Sequence, residues 1–192
     1  RIFRIMSPLK DRFVVSFFGT FGYYHNPSVL IDCAKVLKNS KIHFVIAGDG
    51  ELMESMKSKA AGLANVTFPG WLNQHEIITL LKYSHVGVCA TPQVAEFFPN
   101  KAFVYLSAGL PIVSSFQGDI KTFIEEHKIG FYYPPNDAEA LCKCIQKLYD
   151  SKEYYLDMSV RARNVYQSLL DAKRIYEEYG EHLENIVREY GN

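Results

Sequence analysis

Residues 96–109, EFFPNKAFVYLSAG, bring a carboxylate, a proline, an asparagine and a lysine together in a spacing that suits a phosphorylated ligand. Pro99 and Asn100 mark a turn, and Asn100 is expected to cap a helix running through KAFVYLSAG. The free N–H groups of residues 100–102, the helix macrodipole and the Lys101 ammonium would then meet an anion from one side. Glu96 has the chemistry to accept hydrogen bonds from sugar hydroxyls. The same residues also suit an ordinary capped helix, and spacing alone leaves both readings open.

Four further segments offer turns of the kind that tolerate a ligand. In GTFGYYHNPSVL, Gly19 and Gly22 permit close approach of a loop to a ligand, flanked by Thr20 and His25, with a helix beginning near Asn26 or Pro27. A tight strand-to-helix turn with a solvated histidine explains that segment equally well. In IAGDGELME, Asp49 and Gly50 read as a turn, and Glu51 and Glu54 suit the first turn of a helix. In FPGWLNQHE, Gly70 and Trp71 are expected to leave exposed backbone groups beside a large ring, where a planar base could lie; the chain's one tryptophan could instead cap the core. In SSFQGDIKTF, Gly118 and Asp119 open another helix. No H-x-H, H-E-x-x-H, Walker lysine or triad order occurs, which argues against a metalloenzyme or an independent hydrolase.

Turns of this kind need elements to hold them in one place. Short apolar runs at 13–18, 42–47, 66–68, 85–89, 111–115 and 129–133 read as strands. Helical patterns lie between them, with Val29, Leu30, Cys33, Ala34 and Leu37 on one face, and Ile77, Ile78 and Leu81 on another. Continuous apolar strands alternating with helices predict a doubly wound α/β domain with a parallel sheet. Ligands in such sheets sit beyond the carboxyl ends of the strands, where all five turns fall. After Pro134 and Pro135 the chain turns to charged, amphipathic helices, roughly 137–149, 151–168 and 171–190. Tyr176, Tyr179, Leu183 and Ile186 in the last of them are expected to pack against the sheet or a neighbouring domain.

The chain has 192 residues, enough for one substantial core, and 48% of them are apolar. Lys plus Arg and Asp plus Glu each number 21, so no global field favours nucleic acid or an anionic membrane. Cys33, Cys89, Cys142 and Cys144 lie in apolar contexts without a C-x-x-C pair, which fits buried thiols in a reducing compartment and a cytoplasmic location. No apolar run approaches the roughly 20 residues that span a bilayer. The first residue is Arg1, as expected of a piece of a longer chain.

Taken in order and spacing, FFGTFGYYHNPSVLIDCAKVL, HFVIAGDGELMESMK, NVTFPGWLNQHEIITLLKYSHVGV, EFFPNKAFVYLSAGLPIVSSFQGDI and IGFYYPPNDAEALCKCIQKLYD resemble the C-terminal half of family 4 glycosyltransferases with the two-domain GT-B fold. Within that family the chain looks most like the bacterial enzymes of surface-polysaccharide synthesis, lipopolysaccharide included, which carry a P-N-K-x-x-[DE]-Y-x-x-x-G-x-P-[IV] string. The resemblance implies a linker over 1–12, a Rossmann-like nucleotide-sugar-binding domain over 13–150, and C-terminal helices over 151–192 that pack on it and on an N-terminal domain. It implies a retaining transfer from a UDP- or GDP-sugar, with no metal or other cofactor, to a glycan or lipid-linked acceptor held by the N-terminal half. A full-length protein at the inner face of the membrane fits that acceptor. By position, Gly19–Gly22 and the amides of Asn100 and Lys101 would face the diphosphate, Gly70 and Trp71 would border the base, and Glu96 would position the donor sugar.

Two departures stand out. The family often carries an Arg and a Lys in the first loop, where this chain has Thr20 and His25, and the carboxylate expected eight residues after Glu96 is Val104. Val104 lies about one helical turn beyond Asn100 and Lys101 on the same side, from which a carboxylate could reach ribose hydroxyls. These losses keep open a non-catalytic interaction module with a degenerate donor site. A nucleotide-sugar epimerase of related fold is a weaker third reading.

Overall fold

The six apolar runs form six parallel strands in a computed structural model that describes residues 1–22 and 25–190. Tyr23 and Tyr24, inside the first turn, and Gly191 and Asn192, at the end of the C-terminal segment, lie outside the described residues. The strands are β1 (Phe13–Thr20), β2 (Ile42–Asp49), β3 (Val66–Thr67), β4 (Val86–Cys89), β5 (Ile112–Ser114) and β6 (Gly130–Tyr132). Their order in the sheet is β3-β2-β1-β4-β5-β6. The helices are α1 (Ile2–Met6), α2 (Ser28–Val36), α3 (Met53–Lys59), α4 (Gln74–Tyr83), α5 (Asn100–Ser107), α6 (Asp119–His127), α7 (Ala138–Asp150), α8 (Lys152–Val165) and α9 (Ala172–Tyr190).

Helices cover both faces because successive strand side chains point to opposite sides. Val15 and Phe17 of β1 and Phe44 and Ile46 of β2 pack with Leu30 of α2, Met56 of α3 and Leu141 of α7. Val14 and Val45 point the other way, onto Ile2 and Met6 of α1 and Leu80 of α4, while Ile112 packs with Tyr105 of α5 and Ile120 of α6. Cys33, Cys89 and Cys142 are buried free thiols and Cys144 is half-buried, as their apolar contexts predict.

Four expectations about local structure change. Residues 1–12 are folded against the body: α1 buries Ile2 and Met6, and Arg1 donates to the Trp71 carbonyl (2.6 Å) and pairs with Glu76. In α4 the inward residues are Leu80 and Leu81, with Ile77 half-buried, whereas Ile78 lies around the helix and is exposed. Asn100 is the first residue of α5 and not its cap; Pro99, with φ −72° and ψ 133°, takes that place and offers no side-chain acceptor. The apolar side chains of α9, Ile175, Tyr176, Tyr179, Leu183 and Ile186, are exposed, so the sheet is not what covers them.

By contrast, α8 is firmly seated. It buries Met158 and Ala162, and it satisfies the ends of two neighbouring helices. Ser159 Oγ donates to the Gly109 carbonyl (2.6 Å) and Arg163 to that of Ala108 (3.1 Å), which places a cation at the negative end of α5. Arg161 donates likewise to the carbonyl of Lys128, the left-handed residue that ends α6.

Candidate active site

The sheet order makes β1 and β4 neighbours, and the chain leaves them in opposite senses: β1 leads to α2 on one face, β4 to α5 on the other. In open α/β sheets a ligand is expected between two such loops, at the carboxyl edge. There the backbone of Gly19 (φ 144°), near the end of β1, passes close to Lys101: a Cβ at Gly19 would stand 3.3 Å from Lys101 Nζ.

Lys101 is the charge at this edge. Its Nζ lies 4.1 Å from the centroid of the Phe17 ring, a cation–π seat at the end of β1. Burial lowers its pKa, and among the described residues no carboxylate pairs with it. Lys101 is half-buried, and a cation partly withdrawn from water without an acidic partner favours an incoming anion. The first two amides of α5, those of Asn100 and Lys101, have no backbone acceptor among the described residues. The Ala102 amide, expected to be free as well, donates to the Pro99 carbonyl (2.9 Å), because Pro99 and not Asn100 occupies the cap.

Tyr105 fixes the helix that carries these groups. Its buried ring fills the place where a Gly87 Cβ would be, and its hydroxyl stands 3.2 Å from the Ser16 carbonyl and 3.4 Å from that of Val88. This ties α5 to β1 and β4 together. Neither Tyr105 nor Phe17 stood out among the candidate residues, since both read as core; a tyrosine four residues after Lys101 and a glycine inside an apolar strand were the available signals.

The first loop contributes less charge than its position suggests. Gly22 and His25 exchange backbone hydrogen bonds (3.2 and 3.1 Å), so the Gly22 amide is spent within the turn. Burial, and secondarily the Lys101 charge, depress the His25 pKa, which keeps the imidazole neutral near pH 7. Thr20, the last residue of β1, is exposed just before this loop. Asn26 Oδ1 accepts from the Ser28 amide (3.0 Å) and so sets the start of α2.

At the β3 end, Gly70 adopts φ 77° and its carbonyl accepts from the Gly48 amide (2.9 Å), so that carbonyl is not exposed as expected. Trp71 is 61% exposed and does not cap the core. Trp71 borders an apolar crevice of about 40 Å³, lined also by Phe18, Gly48, Leu72 and Ile77. At the other end of the rim, Glu96 is exposed and lies against Gly118, where a Cβ would meet Glu96 Cβ at 3.4 Å. The Gln117 amide donates to the Ala95 carbonyl (2.9 Å) and holds the two loops together. Val104 is half-buried and packs against the buried cluster that includes Ala102, Tyr105 and Leu106.

The sheet order and two-sided helix cover define a Rossmann-like α/β domain of the GT-B type. The chain belongs to the family described as Glycosyl transferases group 1, whose model matches residues 2–165. It is 27% identical over 182 residues to the O-antigen chain mannosyltransferase C of Escherichia coli, covering 93% of this chain and 48% of the relative. It is 30% identical over 170 residues to the UDP-Gal:alpha-D-GlcNAc-diphosphoundecaprenol alpha-1,3-galactosyltransferase of Escherichia coli, covering 84% of this chain and 42% of the relative. The chain thus spans under half the length of these relatives. In fold it is similar to HepE of Anabaena, solved in complex with UDP and glucose, with a TM-score of 0.80 at 17% identity over 95% of this chain and 51% of the other. Among the described residues no helix is long and apolar enough to cross a membrane.

Proposed function

We propose that this chain is the donor-binding half of a retaining glycosyltransferase that moves a sugar from a nucleoside diphospho-sugar to a glycan or lipid-linked acceptor. The observation that carries the reading is the half-buried Lys101 ammonium over Phe17, without a carboxylate partner among the described residues, beside the amides of Asn100 and Lys101 at the switch of the sheet. Across the rim the groups follow the order of such a ligand: Trp71 after β3 for the base, Lys101 and Asn100 after β4 for the diphosphate, Glu96 beside the β5 turn for the sugar hydroxyls.

Transfer breaks the bond between the sugar's anomeric carbon and the diphosphate, and negative charge builds on the departing phosphate. The Lys101 ammonium and the positive end of α5 stabilise that charge without a bound metal. Glu96 fixes the sugar while the acceptor arrives from a part of the protein outside this chain. The relative named for a diphosphoundecaprenol substrate supports a lipid-linked acceptor, and with it work at a membrane face.

Titrating the ¹⁵N-labelled chain with UDP-, GDP- or dTDP-sugars tests this. Shifts confined to the amides of residues 19–22, 70–71, 96–98 and 100–101 are expected; no shift at millimolar donor would sink the reading. A specific observation favours a second reading, an interaction module with a retired donor site: His25 is neutral and the Gly22 amide is already bonded. Silence in the same titration would select it.

A further inference from the structure

A second cavity, of about 540 Å³, lies where the ends of α4 and α5 meet α8. Ser84 and Leu110, both in its wall, stand just before β4 and β5, which puts it at the amino edge of the sheet, away from Lys101. The eight residues of α5, about 12 Å of helix, separate the two places.

Lys82 and Arg163 line this cavity, and no acid does. Nor does an acid stand next in sequence to any residue of its wall. On α8 the wall is the stripe of Tyr155, Ser159 and Arg163, four positions apart, whereas Glu153 and Asp157 share another side with Leu156 and Val160. Asp157 pairs with Arg161 there, and Glu76 of α4 pairs with Arg1. The carboxyl ends of α4 and α5 each bring about half a negative charge. Arg163 answers that of α5 through the Ala108 carbonyl, while Lys82 has no carbonyl or carboxylate partner among the described residues. The charge left over is positive.

The hydroxyl groups add a second requirement. Ser84, Ser107 and Ser159 each give their proton to a backbone carbonyl, at 2.8, 2.8 and 2.6 Å, so each has only an acceptor left for a ligand. A ligand that satisfies the wall therefore brings hydroxyl donors together with a negative charge. Ile78 and Leu81 add carbon surface, and the volume is that of a small-molecule site.

We propose that this cavity binds an acidic saccharide, a sugar bearing a carboxylate or a phosphate, with Lys82 and Arg163 on the acidic group and the serine oxygens accepting from the sugar hydroxyls. The site is separate from the groups around Lys101 and stands whether or not the donor reading does.

The ¹⁵N-labelled chain would be titrated with glucuronate and with glucose 6-phosphate, against glucose and inorganic phosphate, each of which meets only half of the requirement. At least one acidic sugar should shift the amides of residues 82–84, 107–110 and 155–163 and bind several-fold more tightly than either control. Which of the two does so tells a carboxylate from a phosphate. Lys82→Gln should weaken that binding roughly 10-fold, as for one lost charged hydrogen bond, without moving the urea midpoint, since Lys82 is exposed. Ser107→Ala, also at an exposed position, should weaken it by a smaller factor. Inorganic phosphate or glucose binding these residues as tightly as the acidic sugars would overturn the proposal. So would unchanged affinity in Lys82→Gln, or no shift there with either acidic sugar at millimolar concentration.

Discussion

The ring of Tyr105 occupies the space that a side chain on Gly87 would need: a Cβ there would lie 2.2 Å from the ring's Cγ. Helix α5 can therefore sit close to the sheet, and the same contact aligns its amino end with the end of β1. Gly87→Ala should force the ring and the helix outward, costing about 1–3 kcal/mol in urea unfolding. Tyr105→Phe keeps the ring and loses the hydroxyl, so it should cost only about 1 kcal/mol. A glycine-to-alanine effect no larger than the tyrosine-to-phenylalanine one would show that the contact is not what holds α5.

Lys101 carries the second prediction. Lys101→Met keeps the apolar stem against Phe17 and removes the charge, so unfolding should change little while nucleoside diphosphate affinity falls roughly 10- to 150-fold, as for a lost charged hydrogen bond of about 1.5–3 kcal/mol. Burial lowers this lysine's pKa below the ordinary lysine value, so the ammonium loses its proton at a lower pH than an exposed lysine does. Anion affinity should accordingly decline as pH rises toward that lowered value. Calorimetry across an alkaline pH series on the unaltered chain, with the methionine variant as a flat control, reads this directly.

Acid should destabilise the sheet through His43. Its Nε2 lies 2.8 Å from Thr67 Oγ1, and burial, helped by the Arg12 charge, pushes its pKa down to about 4. The unfolded chain then binds the proton more readily than the native one between about 6.5 and 4, so stability falls as pH drops through that window. The loss from this one group amounts to a few kcal/mol at most. His25 and His85, also depressed by burial, act in the same direction. His43→Asn should flatten part of the curve of urea midpoint against pH; an unchanged curve would remove His43 as its source.

Much of this organisation is legible in the chain itself. The six strands show as apolar runs because both sheet faces are covered, so nothing forces an alternation that would disguise them. The turns at their ends show as glycines, prolines and asparagines. Which amide a turn leaves free does not show. Asn100 looks like a cap, yet Pro99 already holds the extended conformation that a cap requires, and one expected amide is lost to its carbonyl. Gly22 looks open until its bonds with His25 are seen, and Gly70 until Gly48 reaches its carbonyl. The first two partners are set by the local path of the turn, whereas Gly48 and Gly70, like Arg1 and Trp71, meet only because segments far apart in sequence approach.

Glu96 separates the two ends of the proposed ligand. It sits at the α6 side of the rim against Gly118, on a loop fastened by the bond between Gln117 and Ala95, whereas the diphosphate groups cluster around Lys101. A change confined to Glu96 should therefore touch the sugar and spare the nucleotide. Glu96→Gln in the full-length protein should leave nucleoside diphosphate affinity within about 2-fold while weakening the intact donor by roughly 10-fold, the scale of a charged hydrogen bond, and slowing transfer further if the contact tightens in the transition state. The comparison needs both ligands on one preparation. Equal losses for the nucleoside diphosphate and the intact donor would mean that Glu96 shapes the loop as a whole, and the assignment of the sugar to this end of the rim would then fail.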